Sequence, residues 1–419
     1  MALVTILVTL LLIPGSLIAW SAWTLNANLA IARKTEFPLL VRWVTPTNPL
    51  WMICGSTIVK TCRALHIGTA HFRRFYLFGW EGNERHIVHQ ELGPFFLIVS
   101  PGGNWLCVSD ADAINYVIKH PKDFRRNMEQ MEVVNVYGKN LATTDDDEWQ
   151  RHRKVTGMTF TEKNNELVWR ESLVQSKAML EYWMQHQPMT TLDQDTKVFT
   201  LNVLAAALFN KSYPFEGPAE QKASTLQLDD SSKYRNSVAK IISNIIPIFV
   251  FGAKGLEAWW TPRSWKVAAE AVSTFRSYIT NLINEERHAN SRGIQKNQHL
   301  VAALVRASEA DNPSEGVGLS AGRRKATLSE EEIISNLFVF AFAGNDTTAI
   351  TLTHLLVHLA AHPQTQDWIA EELRHYLPSS NPVDWDYKVY PNLKRCLAVV
   401  VRLVSHSSNT SIYICVIQT

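Results

Sequence analysis

Cysteine is scarce in this chain: five among 419 residues, Cys54, Cys62, Cys107, Cys396 and Cys415. The count is odd, the spacing is wide and no two stand as Cys-x-x-Cys. That speaks against a disulfide framework and against a structural zinc site. Excess charge is lacking too. The net charge is +2 with no basic stripe, so nothing supports nucleic-acid binding. Internal repeats are absent. Hydrophobic residues make up 46% and charged ones 19%, which is the balance of a folded chain and not of a disordered one. The length suits one large domain or two medium ones.

A more telling absence lies at the N-terminus. No charged side chain occurs from Met1 to Ala32, and Ala2 to Ala22 is strongly apolar. Such a stretch is long enough to span a bilayer. Arg33, Lys34 and Arg42 follow, and the positive-inside rule then puts the rest of the chain in the cytosol. A cleaved signal peptide is the competing reading, with Ala19 to Ala22 as a cleavage-like site. The n-region has no Lys or Arg and the apolar core is long, which favours an anchor over residues 1–32. Pro14-Gly15 would kink an isolated helix, but a membrane anchor tolerates such a break.

Beyond the anchor the pattern predicts a helix-like segment from Phe72 to Leu92. Runs at Phe95–Val99 and Trp105–Val108 read as strands, joined by a hairpin at Ser100-Pro101-Gly102-Gly103-Asn104. Asp110 caps a short helix through Ile118. Glu166 to about Glu286 reads as helix, broken at Tyr213–Pro218. Ala307 to Ala326 reads as a polar linker.

A long helix is then predicted. Ser329 is a good N-cap, Glu332 completes a capping box, and the apolar pattern runs until Pro363. That gives roughly 33 residues and about 50 Å. Its centre reads Ala343-Gly344-Asn345-Asp346-Thr347-Thr348. Gly costs about 1 kcal/mol relative to Ala in a helix interior, and a buried carboxylate needs a partner or a shifted pKa. These residues make sense if something large packs there and needs polar groups and a proton path. Ala343, Gly344 and Thr347 share a face, and the Thr347 hydroxyl can bond back to the Ala343 carbonyl. A second segment, Asp145 to Lys154, is acidic first and basic after, as the helix dipole favours. Asp145 and Glu148 can form a capping box. Trp149 and Arg153 share a face, and a Trp N–H beside a guanidinium suits a buried carboxylate.

The two stretches resemble the cytochrome P450 family. Its oxygen-activating helix carries Ala/Gly-Gly-x-Asp/Glu-Thr-Thr/Ser, and its Trp-x-x-x-Arg helix grips a haem propionate. The resemblance extends through Phe124-Arg125-Arg126, His362–Pro378 and Tyr390–Val400. It implies a mostly α fold with a small β-sheet near the N-terminus, preceded by a transmembrane helix. It implies haem as cofactor, with Trp149, Arg153, Ala343 and Gly344 against it. Asp346 and Thr347 would then assist protonation and cleavage of dioxygen at the haem iron. The substrate implied is an apolar small molecule, and the electron donor is NADPH–cytochrome P450 reductase. The anchor style resembles microsomal enzymes, including those of fungal secondary metabolism. This places the chain in the endoplasmic reticulum membrane, single-pass, with a cytosolic body.

The match stops at Val400. The family's Glu-x-x-Arg falls near 402 and 405, where this chain has Arg402 and Ser405. The loop Phe-x-x-Gly-x-Arg-x-Cys-x-Gly, whose thiolate ligates the iron, matches none of the five cysteines. The expectation is therefore a partial catalytic domain over 33–400 and an unrelated tail over 401–419, read through from an intron. A chain of that kind lacks the axial ligand and is inactive as given. The alternative is a non-catalytic, membrane-anchored remnant that binds a partner or an apolar ligand.

Three other features are weaker. Gly318-Leu319-Ser320-Ala321-Gly322 matches a nucleophile elbow but has no strand before it or helix directly after it. His354 and His358 lack a third metal ligand. Ile241 to Phe251 is very apolar, and reads either as a buried helix end or as a patch that dips into a membrane.

Overall fold

The computed structural model of the chain describes residues 2–84, 86–157, 160–217, 230–292, 299–309, 327–377, 381–407 and 416–418. Most of them are helical. The linker expected over Ala307–Ala326 is helical over 307–309, and its remainder, with the Gly318-x-Ser320-x-Gly322 motif, lies outside the described residues, as does Cys415. Two compact units divide the chain: residues 1–130 with 404–419, and residues 131–403.

The first unit holds the sheet. Strands β1 (Leu39–Val41), β2 (Phe95–Ser100), β3 (Gly103–Val108) and β4 (Val416–Gln418) lie in that order. β1 pairs with β2 in parallel, and the other two pairings are antiparallel. The predicted hairpin is present, with Ser100 opposite Gly103 and Phe95 opposite Val108. Alternate residues of β2 point to opposite faces, as strand geometry requires. Phe96 and Ile98 pack with Leu40, Val59, Phe75, Tyr76 and Trp80. Leu97 and Val99 pack with Leu25 and Ala32. Both faces of β2 are therefore covered, which suits its unbroken apolar run. β4 comes from the far end of the chain, where no strand is predicted.

Helix α1 spans Ala2–Ala32 and runs through Pro14 and Gly15. Helix α2 covers Pro49–Ala64, with Asn48 as its N-cap. The single helix expected over 72–92 is instead three short ones, Ala70–Phe75, Trp80–Glu84 and Ile87–Leu92. Gly79 separates the first two with a φ of 75°, a conformation that ends a right-handed helix. Helix α3 (Ala111–Lys119) is capped as predicted, with the Asp110 carboxylate accepting from Ala113 N–H at 2.8 Å.

The second unit is helical. Its helices are α4 (Asp146–Gly157), α5 (Glu162–Gln185), α6 (Leu192–Phe209), α7 (Asp230–Ser243), α8 (Ile245–Gly255), α9 (Arg263–Ser291), α10 (Leu300–Glu309), α11 (Glu330–Ala361), α12 (Pro363–Tyr376) and α13 (Lys394–Ser407). Its core joins Leu201, Ala205 and Leu208 of α6, Val272, Phe275 and Ile279 of α9, and Ile334, Leu337, Phe338 and Ala341 of α11. Tyr137, Phe275 and Phe338 form a ring cluster with centroids 5.3 to 5.8 Å apart. Each such side chain contributes about 1.5–3 kcal/mol on burial. α7 and α8 meet at 108°, and Ile241 and Ile248 at their junction are buried. The segment 241–251 thus feeds the core at its helix ends. α11 is long and apolar enough to cross a membrane, but half of its apolar window is buried, so packing accounts for its composition.

α12 and α13 are tied by one carboxylate. Glu372 accepts from the N–H groups of Arg395 and Cys396 at 2.8 to 3.1 Å, which caps the N-terminus of α13 from a neighbouring helix. Burial pushes the Glu372 carboxyl up, but these N–H donors outweigh it and the net direction is down.

Candidate functional site

α11 begins with the predicted capping box. Ser329 Oγ accepts from Glu332 N–H at 3.2 Å, and Glu332 Oε2 accepts from Ser329 N–H at 2.8 Å. Past its first residues it is enclosed: Ile333 to Val339 and Ala341 are all buried. From Ala343 onward the helix has two unlike sides. One side packs on α6. A Cβ on Gly344 would stand 3.0 Å from Leu204 Cδ2, so glycine permits the close approach there. Asn345 is buried, and its Oδ1 accepts from Thr200 Oγ1 at 2.9 Å. About two turns further along α11, the hydroxyls of Thr196 and Thr353 meet at 2.7 Å.

The opposite side is open. Ala343, Thr347, Thr348, Ile350 and His354 are exposed, and Asp346 is half-buried. Thr347 Oγ1 donates to the Ala343 carbonyl at 2.7 Å, the back-bond expected from the sequence. A hydroxyl held this way keeps its lone pairs free to accept. The structure therefore puts Ala343 and Thr347 on one open face, with Asp346 at its margin and Gly344 turned towards α6.

α4 carries the second pair. Trp149 is half-buried and Arg153 is exposed. Asp145 does not form the expected box with Glu148: its carboxylate accepts from Asp146 N–H at 3.0 Å. Asp146 has a φ of 47°, which turns the chain too early for the box geometry. Glu148 pairs with Lys139 at 2.8 Å instead.

Sequence reasoning missed the polar knot that fastens α4 to α11. Leu141 N–H donates to Asn336 Oδ1 at 2.9 Å, which fixes the amide's orientation. Asn336 Nδ2 then donates to the Glu332 carbonyl at 2.7 Å and to His152 Nδ1 at 3.0 Å. His152 is thus unprotonated at Nδ1 and carries its proton on Nε2, 3.3 Å from Glu332 Oε1. Arg151 donates to Glu332 Oε2 at 2.9 Å and to the Thr327 carbonyl at 2.7 Å. Burial holds the His152 pKa below the usual histidine range. Burial raises Glu332, but Arg151 and the Ser329 N–H reverse that and bring it down to about 2. A signal was available: Ser335 and Asn336 are polar positions inside the apolar run. Their partners lie far away in sequence. Ser335 receives a hydrogen bond from Asn140 at 3.1 Å and donates to the Gly138 carbonyl.

Two of the described cysteines are held away from the thiolate form. Burial pushes Cys107 up to about 12. Burial and the Glu372 carboxylate push Cys396 up to about 11. Groups of three or more His, Cys, Asp or Glu able to hold a metal ion are absent among the described residues.

The cytochrome P450 family model matches residues 77–410. A cytochrome P450 monooxygenase of Arthrobotrys oligospora is 25% identical, over 90% of this chain and 65% of its own length. A cytochrome P450 monooxygenase of the phomenoic acid biosynthesis cluster of Leptosphaeria maculans is 24% identical, over 70% of this chain and 50% of its own. The chain thus spans about half to two thirds of the length of these curated relatives. Among solved structures, a zebra fish cytochrome P450 with progesterone superposes with a TM-score of 0.55 at 18% identity, covering 77% of this chain and 70% of that one. The mostly helical fold with its small sheet is the P450 fold, and the match over residues 77–410 makes this chain a member of the cytochrome P450 family.

Proposed function

We propose that this protein serves as the oxygen-activating part of a haem-dependent monooxygenase that oxidises an apolar small molecule, with electrons from NADPH–cytochrome P450 reductase. The observation that carries the reading is the two-sided centre of α11. Gly344 and Asn345 lock one side to α6, while Ala343 and Thr347 leave a small-residue face open on the other. A flat apolar cofactor suits that face.

The residues present fit haem on one side. Arg153 is exposed and forms no ion pair among the described residues, so its guanidinium is free for a carboxylate. The knot fixes α4 at Asn336, seven residues before Ala343, or about 10 Å along the helix axis. Haem, when bound, supplies the redox chemistry. Thr347 Oγ1, its own proton on the Ala343 carbonyl, accepts a hydrogen bond at the open face, and Asp346 relays protons towards it from solvent. Trp149 and Arg153 bind and orient the propionate side. The relative from the phomenoic acid cluster supports a substrate of fungal secondary-metabolism type. The uncharged segment 1–32 followed by Arg33 and Lys34 supports an endoplasmic reticulum anchor with a cytosolic body.

One observation favours a second reading, a membrane-anchored binding protein without oxygenase activity. Burial raises the Cys107 thiol, and burial with the Glu372 carboxylate raises Cys396, so neither setting favours the thiolate that the family's iron takes as ligand. Titrating haem into the purified chain separates the two. The monooxygenase reading expects saturable binding that Arg153→Ala weakens. The reduced carbon monoxide complex of this chain is expected to lack a thiolate-type Soret band. Complete failure to bind haem leaves the binding-protein reading.

A further inference from the structure

The end of α1 packs on the sheet. α1 runs unbroken to Ala32. Leu17, Ile18, Trp20 and Trp23 are exposed at 63 to 69%, and the Trp20 and Trp23 rings lie 5.4 Å apart. Paired exposed tryptophans where the strongly apolar stretch of an uncharged helix ends suit the bilayer–water interface. Two residues beyond Trp23 another face of the helix begins to be covered. Leu25 is 5% exposed and Ala32 is 1% exposed, packed on Leu97 and Val99 of β2.

A polar clasp adds to this contact. Asn28 Nδ2 donates to the Ser100 carbonyl at 2.8 Å, and Asn104 Nδ2 donates to the Asn28 carbonyl at 3.0 Å. Each end of the hairpin turn thus bonds one residue of α1. Asn104 is buried, so breaking the clasp strands a donor away from water. No linker stands between span and body: the same helix that carries Trp23 carries Asn28.

We propose that α1 is a rigid strut that sets the β2–β3 hairpin at a fixed height in the headgroup layer of the membrane. Five residues separate Trp23 from Asn28, a rise of about 7.5 Å. The turn Ser100–Gly103 therefore sits within the interfacial layer when Trp23 marks its inner edge. The partner surface is the lipid bilayer itself. Arg33 and Lys34, exposed just beyond the clasp, come out on the cytosolic side of that layer, where an anionic leaflet attracts them. The inference rests on the anchor reading of residues 1–32.

The test uses the full chain in phosphatidylcholine vesicles. Cys54, Cys62, Cys396 and Cys415 are replaced by Ser, and a spin label is attached through Pro101→Cys. Depth is read from the label's accessibility to oxygen, which partitions into lipid, against a water-soluble nickel chelate. The expected result is one interfacial depth. Inserting Gly-Ser-Gly-Ser after Trp23 should shift the label towards water, while alkaline carbonate still leaves the protein in the membrane pellet. Asn28→Ala, with the sheet checked by circular dichroism, should broaden the depth in the same direction. A label already in water with the protein retained, or a depth unmoved by the insertion, overturns the strut and leaves the anchor standing. Release by carbonate removes the anchor and the strut together.

Discussion

His152 Nδ1 accepts a hydrogen bond from Asn336 Nδ2 at 3.0 Å, across 184 residues of sequence. The bond fixes the rotation of α4 on α11 and so decides where the next residue, Arg153, points. The acceptor role of Nδ1 requires a neutral ring, and the buried site favours that form.

This gives a pH dependence with a definite sign. The folded pKa of His152 lies below 6.5, so the unfolded chain takes up the proton first as pH falls. Stability is full above that value and declines as pH drops towards the lower folded one, with a slope of at most about 1.4 kcal/mol per pH unit for one proton. Glu332 adds a further decline between 4.5 and about 2. The melting temperature should fall between about pH 7.5 and about pH 5.5, and less so in His152→Gln. Equal losses in both proteins would place the titration elsewhere.

Gly344 faces Leu204 too closely for a side chain. Gly344→Ala sets a gain of about 1 kcal/mol in helix propensity against a 3.0 Å methyl contact, and should come out near neutral. Gly344→Val should destabilise by about 1–3 kcal/mol through overpacking. Leu204→Ala should recover part of that loss. A double variant no more stable than Gly344→Val would show that the strain is not at this contact.

Thr347 and Asp346 should matter to chemistry more than to folding, because the helix face they line is open. Thr347→Ala should shift stability by no more than about 0.5 kcal/mol. In a version of the protein with a complete C-terminus, loaded with haem and consuming oxygen, it should release peroxide in place of product, with Thr347→Ser restoring coupling. Asp346→Asn should slow turnover. Peroxide yield measured against product checks both, and normal coupling in Thr347→Ala would remove the proton role.

Arg153 is exposed, so Arg153→Ala should leave the melting temperature of the haem-free chain unchanged. Its haem affinity should fall about tenfold, the loss of one charge-assisted contact. Spectroscopic titration checks this, and an unchanged affinity would take Arg153 out of the cofactor site.

The sequence by itself determined what is local. The Ser329–Glu332 box, the Asp110 cap, the hairpin at Pro101-Gly102 and the Thr347 back-bond each depend on residues within a few positions of one another. Their geometry follows from backbone periodicity alone. The motif at 343–348 is of the same kind, since one helix turn brings its members together. Only the tertiary structure decided which side of that motif is open, because this depends on Leu204 and Thr200 of α6. It also broke the helix expected over 72–92, moved Glu148 from a cap to Lys139, and brought in β4 from the far end of the chain. The His152–Asn336 bond and the Asn28 clasp belong here as well. In each, a polar group finds its partner dozens to hundreds of residues away. No pattern within a short stretch encodes that choice, because it is made by whichever groups burial leaves facing each other without water.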